Sequence, residues 1–177
     1  VQAFKELSTR DYGRPARDDH SGMIPPKLAQ IMINLAGAPK KDEALLDPFC
    51  GSGTIIAEAI LMNYKNIIGS DLSKKAIQDT QTNINWLKTK FKTSDFNLGL
   101  FNRDVKKLSQ FINPNSIDAI ITEPYLGPQR GFHKYSKVIN ELEELYSKAL
   151  TEFRKILKKS GKVVMVCLPA LMISASS

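Results

Sequence analysis

The 177-residue chain has two cysteines, two histidines and one tryptophan. Cys50 and Cys167 sit in apolar, strand-like surroundings, and their spacing builds neither a disulfide framework nor a metal-ligand pattern. His20 and His133 have no neighbours of metal-binding type and read as loop residues, so no metal site is expected. No apolar run approaches the roughly 18 residues that a membrane helix needs, and no signal peptide is visible. A reducing, cytoplasmic setting is therefore expected. Acids are in short supply: 18 Asp and Glu against 25 Lys and Arg give a net charge of +7. That excess serves solubility, or it meets a polyanion such as nucleic acid. Repeats, low-complexity stretches and internal linkers are lacking. The chain is long enough for one domain with a real core and too short for two large ones. It begins on Val1 and ends on "ISASS", which reads as a piece of a longer protein.

What is there is alternation. Residues 8–22, "STRDYGRPARDDHSG", are polar and read as loop. Pro25-Pro26 then opens a helix, with Leu28, Ile31, Met32 and Leu35 as its expected buried stripe and Gly37 as its stop. A first strand is expected at 44–50, and a helix follows over about 54–64, with Ile55, Ile56, Ala59 and Ile60 on one side. A second strand occupies 66–72. Ser73 is an N-cap candidate for a helix to about 90, carrying Ile77, Ile84, Leu87 and Phe91 at helical spacing. Weaker strand character marks 98–104, and "SIDAIITEP" is a fourth strand. The strongest amphipathic helix covers 136–158, with Leu142, Leu145, Tyr146, Ala149, Phe153, Ile156 and Leu157; "SGK" then turns into a fifth strand, "VVMVCLP". Strands alternating with helices of this length imply βαβ units, hence a doubly wound, mostly parallel α/β sheet. Val- and Ile-rich runs suit strands buried on both faces.

In such sheets ligands gather outside the carboxyl ends of the strands. Four expected strand ends carry acids: Asp47, Asp71, Asp104 and Glu123. Between the first two lies Pro48-Phe49-Cys50-Gly51-Ser52-Gly53-Thr54, whose glycines allow a tight turn and a close ligand approach. A dinucleotide fingerprint G-x-G-x-x-G is absent, because Thr54-Ile55-Ile56 follows Gly53. Asp47 would repel a pyrophosphate and attract a cation, such as the ammonium of a methionine moiety. Asp71 can accept bonds from both hydroxyls of a ribose, and Asp104, beside Val105, from an adenine amino group. A ligand with a cationic end, a ribose and an adenine is S-adenosylmethionine.

At this point the chain resembles a known family. "LDPFCGSGT" resembles motif I of class I methyltransferases, in the form found in amino-group RNA and DNA methylases. "GSDLS" is similar to motif II and "NRDV" to motif III, and "SGMIPPKLAQIMINLA" is similar to the segment preceding motif I in THUMP-associated RNA methylases. Together these motifs resemble those of the THUMP-associated, UPF0020-like tRNA guanosine-N2 methyltransferases. The resemblance implies a Rossmann-like domain of strand order 3-2-1-4-5, with residues 1–37 as the N-terminal motif X segment and helix, and 44–177 as the core. It implies S-adenosylmethionine as cofactor, S-adenosylhomocysteine as product and RNA, in particular tRNA, as partner. Pro25, Asp47 to Thr54, Asp71, Leu72, Asp104, Val105 and Glu123 would line the cofactor site. The family's edge strands six and seven, and a THUMP-type RNA-binding domain, would lie outside this chain.

The family's motif IV reads (D/N)-P-P-(Y/F), often within T-D-P-P-Y-G. Here the stretch is Thr122-Glu123-Pro124-Tyr125-Leu126-Gly127: Thr and Gly keep the frame, Asp is Glu, the second Pro is Tyr and the aromatic position is Leu. An exocyclic amine on a base is a poor nucleophile, since its lone pair is delocalised into the ring. A carboxylate that accepts its hydrogen bonds offsets the charge that develops as it attacks. Glu123 is the expected acceptor, Pro124 fixes the turn, and Tyr125 supports or stacks the base, a contact worth about 1–3 kcal/mol. Downstream, Arg130, His133, Lys134 and Tyr135 mix charge with aromatics on a Gly-Pro loop, a candidate grip on phosphate and base. The arginines of residues 10–17 are candidates for the same face. Two other functions fit the same residues: an N6-adenine methylase on DNA or RNA, and a non-catalytic cofactor-binding subunit whose altered motif IV has lost transfer.

Overall fold

The computed structural model describes residues 4–17, 23–39, 42–127 and 135–167. Five strands form the sheet: β1 Ala44–Asp47, β2 Asn66–Asp71, β3 Asn97–Asn102, β4 Ile117–Thr122 and β5 Leu157–Met165. Their order is β3-β2-β1-β4-β5 and every pairing is parallel. The helices are α1 Phe4–Tyr12, α2 Pro26–Ala36, α3 Thr54–Leu61, α4 Lys74–Phe91 and α5 Tyr135–Ile156, with a short 3-10 segment, Val105–Gln110, between β3 and β4.

Successive strand residues point to opposite faces, and the core divides accordingly. Leu45, Ile67 and Ile121 pack with Ala29, Met32 and Ile33 of α2, Ile56 and Ala59 of α3, and Ile84 and Leu87 of α4. Leu46 and Ile120 pack on the other face with Val105, Leu108, Ala149, Phe153 and Ile156. Leu45, Leu46 and Ile120 have no exposed surface, which explains why these strands read as continuous apolar runs. The chain runs outward from β1 to β2 and β3, then returns to pair β4 on the other side of β1. In open parallel sheets ligands bind at such a reversal, here at the carboxyl ends of β1 and β4.

Several expectations are corrected. Part of the polar stretch read as loop is helical, because α1 spans Phe4–Tyr12. Its hold is electrostatic, so no apolar period announces it. On α2 the buried residues are Pro26, Ala29, Met32 and Ile33, whereas Leu28, Ile31 and Leu35 are 39%, 48% and 66% exposed. This helix is apolar nearly all round, so spacing alone did not select its inner face. β5 begins before "SGK" rather than after it: a register shift between Ile117 and Ala119 takes the pairing from Leu157 to Lys162 and keeps Gly161 inside the strand. Gly37 and Ser73 behave as expected. The first closes α2 at φ 113, and the second caps α4 by accepting the Ala76 N–H.

Candidate active site

The turn after β1 is shaped by two glycines in the left-handed region, Gly51 at φ 52 and Gly53 at φ 85. A Cβ on Gly53 would lie 2.8 Å from Cγ2 of Thr80, so α4 presses directly against this backbone. Two side chains of α4 hold the turn from behind: Thr80 Oγ1 donates to the Gly51 carbonyl (2.8 Å) and Asn83 Nδ2 to the Ser52 carbonyl (2.8 Å). The Cys50 N–H donates to the Ser70 carbonyl at 3.0 Å. Cys50 is buried, and burial pushes its thiol well above the usual range.

Asp71, at the end of β2, accepts from Gly51 N at 3.0 Å through Oδ2 and from Ser73 N at 2.8 Å through Oδ1. It therefore joins the first and second strand ends. Beside it, Leu72 is 74% exposed. Asp104 caps the 3-10 segment, taking the Lys106 N–H on Oδ1 at 3.0 Å with Lys106 Nζ 3.5 Å from Oδ2. The Val105 side chain is core and only 4% exposed. Pro25 is the exposed residue preceding α2. Pro48, Ser52 and Thr54 are buried, and Phe49 is half-buried.

Asp47 is 1% exposed. Its Oδ1 accepts from Thr122 Oγ1 at 2.8 Å and from Phe49 N at 3.3 Å. Burial raises its pKa to about 7 against these two bonds, and the charges of Asp71 and Glu123 push the same way. Two of the other three expected acids, Asp71 and Glu123, thus act on Asp47, and Asp104 does not.

Thr122 ties the end of β4 to β1 through that bond and accepts Val166 N on its carbonyl at 3.2 Å. Glu123 follows, half-buried, and burial raises its pKa. It makes no hydrogen bond or ion pair among the described residues. Pro124 is buried, while Tyr125 is 58% exposed. The Tyr125 carbonyl accepts from Tyr146 Oη at 2.8 Å. Gly127 takes φ 96, in the left-handed region.

Arg10 and Arg14 are 8% and 6% exposed and do not contribute to a nucleic-acid face, contrary to expectation. Arg10 grips the buried Glu58 of α3 through Nε (2.6 Å) and Nη2 (3.2 Å), and Gln30 of α2 adds a bond at 2.6 Å. Arg14 Nη1 donates to Thr54 Oγ1, and its Nε and Nη2 are buried without partners among the described residues. Asn83 also pairs with both backbone groups of Ala16 at 2.9 Å. The N-terminal segment is therefore a strap over α3 and α4 behind the glycine turn. Arg130, His133, Lys134 and His20 lie outside the described residues, as does the side chain of Tyr135.

Thr122, Tyr146, Thr80 and Asn83 were not singled out as site residues from the sequence. Thr80 and Asn83 left a trace: Thr80 falls on the apolar stripe Ile77, Ile84, Leu87, Phe91, where a polar residue needs a partner. An open groove of about 620 Å³ lies elsewhere, near Asn66, Gln81, Lys88 and Phe96 at the starts of β2 and β3. Among the described residues no group of three His, Cys, Asp or Glu could hold a metal, and no helix is long and apolar enough to cross a membrane.

Comparisons with known proteins agree with this geometry. The chain is 30% identical over 151 residues to a tRNA (guanine(10)-N2)-dimethyltransferase of Methanothermobacter thermautotrophicus, covering 85% of this chain and 39% of that protein. It is 32% identical over 130 residues to the protein of that name from Methanocaldococcus jannaschii, covering 69% and 35%. The chain thus spans well under half the length of these curated relatives. Among solved structures, TrmN from Thermus thermophilus superposes with a TM-score of 0.68 at 27% identity, covering 87% of this chain and 42% of that one. The model of the RMKL-like methyltransferase domain, UPF0020, matches residues 14–173, and the chain belongs to that family.

Proposed function

We propose that this domain transfers a methyl group from S-adenosylmethionine to an exocyclic amino group of RNA, guanine N2 of tRNA. The observation that carries the proposal is Glu123: a half-buried carboxyl without a partner among the described residues, at the sheet's switch point, between two anchored backbone positions. The tRNA relatives add weight to guanine as the base.

The residues present fit the cofactor. Each Asp71 oxygen takes one backbone N–H, and a carboxylate has about four acceptor positions, so two remain for a ribose diol. The exposed Leu72 side chain offers an apolar surface beside it for an adenine. Among the described residues Asp47 has no counter-cation, and its ionised form is the one an ammonium would favour. Asp104 has both oxygens engaged, so its contact with an adenine amino group would be shared with Lys106. When bound, the cofactor supplies an electrophilic methyl group and leaves as S-adenosylhomocysteine.

The chain's own groups do the rest. Glu123 accepts the hydrogen bonds of the target amine and makes its nitrogen more basic. Because burial raises its pKa, Glu123 also takes up the amine proton more readily than an exposed carboxylate. The exposed Tyr125 ring offers a stacking face for an extruded base. Arg130, His133, Lys134 and Tyr135 follow this turn in the chain and are assigned to phosphate and base contact.

The test is incubation with isotope-labelled S-adenosylmethionine and unmodified tRNA, or DNA, followed by digestion to nucleosides. Label in N2-methylguanosine is expected. Label in N6-methyladenosine would move the target to adenine, and binding of cofactor without any transfer would mean a non-catalytic subunit.

A further inference from the structure

The turn that carries Glu123 lacks a constraint. Where the resemblance places a second proline, this chain has Tyr125. A proline there would fix its own φ and reduce the freedom of the unfolded chain. Tyrosine does neither. A hydrogen bond stands in the same place: Tyr146 of α5 donates its hydroxyl proton to the Tyr125 carbonyl at 2.8 Å. Tyr146 is 6% exposed and lies on the buried stripe of α5 with Leu142, Ala149 and Phe153. Its ring is therefore fixed by packing, on a rigid element. Burial pushes its phenol up to about 12, with Cys167 and Glu123 adding to the effect, so it remains a donor at neutral pH. On the other side of Glu123, Thr122 is held by Asp47 Oδ1 and by Val166 N. Glu123 is thus suspended between a β4 anchor and an α5 anchor.

We propose that Tyr146 is a positioning residue for methyl transfer, whose hydrogen bond to the Tyr125 carbonyl replaces the missing proline and holds Glu123 and the Tyr125 ring in base-accepting geometry. This rests on the methyl-transfer function proposed above. It also accounts for the altered motif: the turn gives up a ring, gains an exposed aromatic one position early and takes its stiffness from a neighbouring helix. A residue that merely stabilises the fold would lower stability and leave the remaining folded molecules fully active.

Tyr146→Phe keeps the ring and removes the donor. Its kcat on tRNA should fall about tenfold, while KM for tRNA and Kd for S-adenosylhomocysteine stay within about twofold. Amide exchange over residues 123–127 should quicken about tenfold, with β4 unchanged. In a Tyr125→Pro/Leu126→Tyr background, which restores the Pro-Pro-aromatic order, adding Tyr146→Phe should change exchange and kcat by less than twofold. Unchanged exchange at 123–127 in the single variant, or an equal loss in both backgrounds, would overturn the assignment. If the wild-type domain binds S-adenosylhomocysteine but never methylates, the methyl-transfer proposal fails while the exchange measurement still decides the role of Tyr146 in the turn.

Discussion

Replacing Asp47 by asparagine should leave the stability of the unliganded domain unchanged below about pH 4 and raise it progressively as pH climbs into mild alkali. Asparagine keeps an Oδ1 acceptor for Thr122 Oγ1 and for Phe49 N, so both bonds survive. What disappears is the need to ionise a carboxyl that is 1% exposed. The native pKa of about 7 stands against an ordinary 3.8. Between those values the folded chain holds a proton that the unfolded chain has released, so wild-type stability falls as pH rises. The contribution is fully present below about pH 4 and is lost once pH passes the folded value. At about 1.4 kcal/mol per pKa unit, the gap sets a ceiling of about 4 kcal/mol, and water penetration on ionisation lowers it, so about 2–3 kcal/mol is expected by pH 9. Glu123 is displaced in the same direction by its own burial, which the substitution leaves in place. Urea titrations of both proteins from pH 5 to 9 measure the difference directly. A difference that stays flat across that range, or is largest at pH 5, refutes the reasoning.

The same equilibrium predicts that S-adenosylhomocysteine, which retains the ammonium, displaces close to one proton on binding at pH 6 and almost none at pH 8.5; calorimetry in buffers of different ionisation heat reads this number. Glu58→Ala removes the buried carboxylate that Arg10 grips, leaving it only Glu6 at 3.9 Å and the Phe91 ring, and should cost about 3–5 kcal/mol in urea unfolding. Adding Arg10→Met should recover most of that loss. Gly53→Ala should cost about 1–2 kcal/mol for the left-handed backbone, and more for the contact with Thr80. Thr80→Ser removes Cγ2, the nearest atom, and in that background the excess should shrink without vanishing, because Oγ1 at 3.0 Å and Cβ at 3.2 Å still crowd the new methyl, while the backbone cost remains.

The parallel sheet was legible because β1 and β4 are buried on both faces, β2 is partly so, and all three show leucine or isoleucine runs. The order β3-β2-β1-β4-β5 followed from the resemblance rather than from the runs themselves. α1 was illegible because it is held by Arg10 on Glu58, 48 residues away. The inner face of α2 was illegible because its outer face is equally apolar, with Leu28, Ile31 and Leu35 exposed. The start of β5 was hidden because Ser160-Gly161-Lys162 has turn chemistry, yet it is carried along β4 by a bulge. Acids at the strand ends were legible from position alone. Their supports were not, since Thr122 reaches Asp47 across 75 residues and Tyr146 reaches Tyr125 from another helix. Asp104 shows the limit of reading by position, because its oxygens serve the local cap first.

The most direct measurement is methyl transfer by Glu123→Ala beside its affinity for S-adenosylhomocysteine. Loss of an acceptor that acts on the developing charge should lower the transfer rate at least about 100-fold, while the heat and affinity of cofactor-product binding stay within a few-fold of wild type. Undiminished transfer by that variant would contradict the role given to Glu123. A wild-type protein giving no heat with S-adenosylhomocysteine would contradict the site itself.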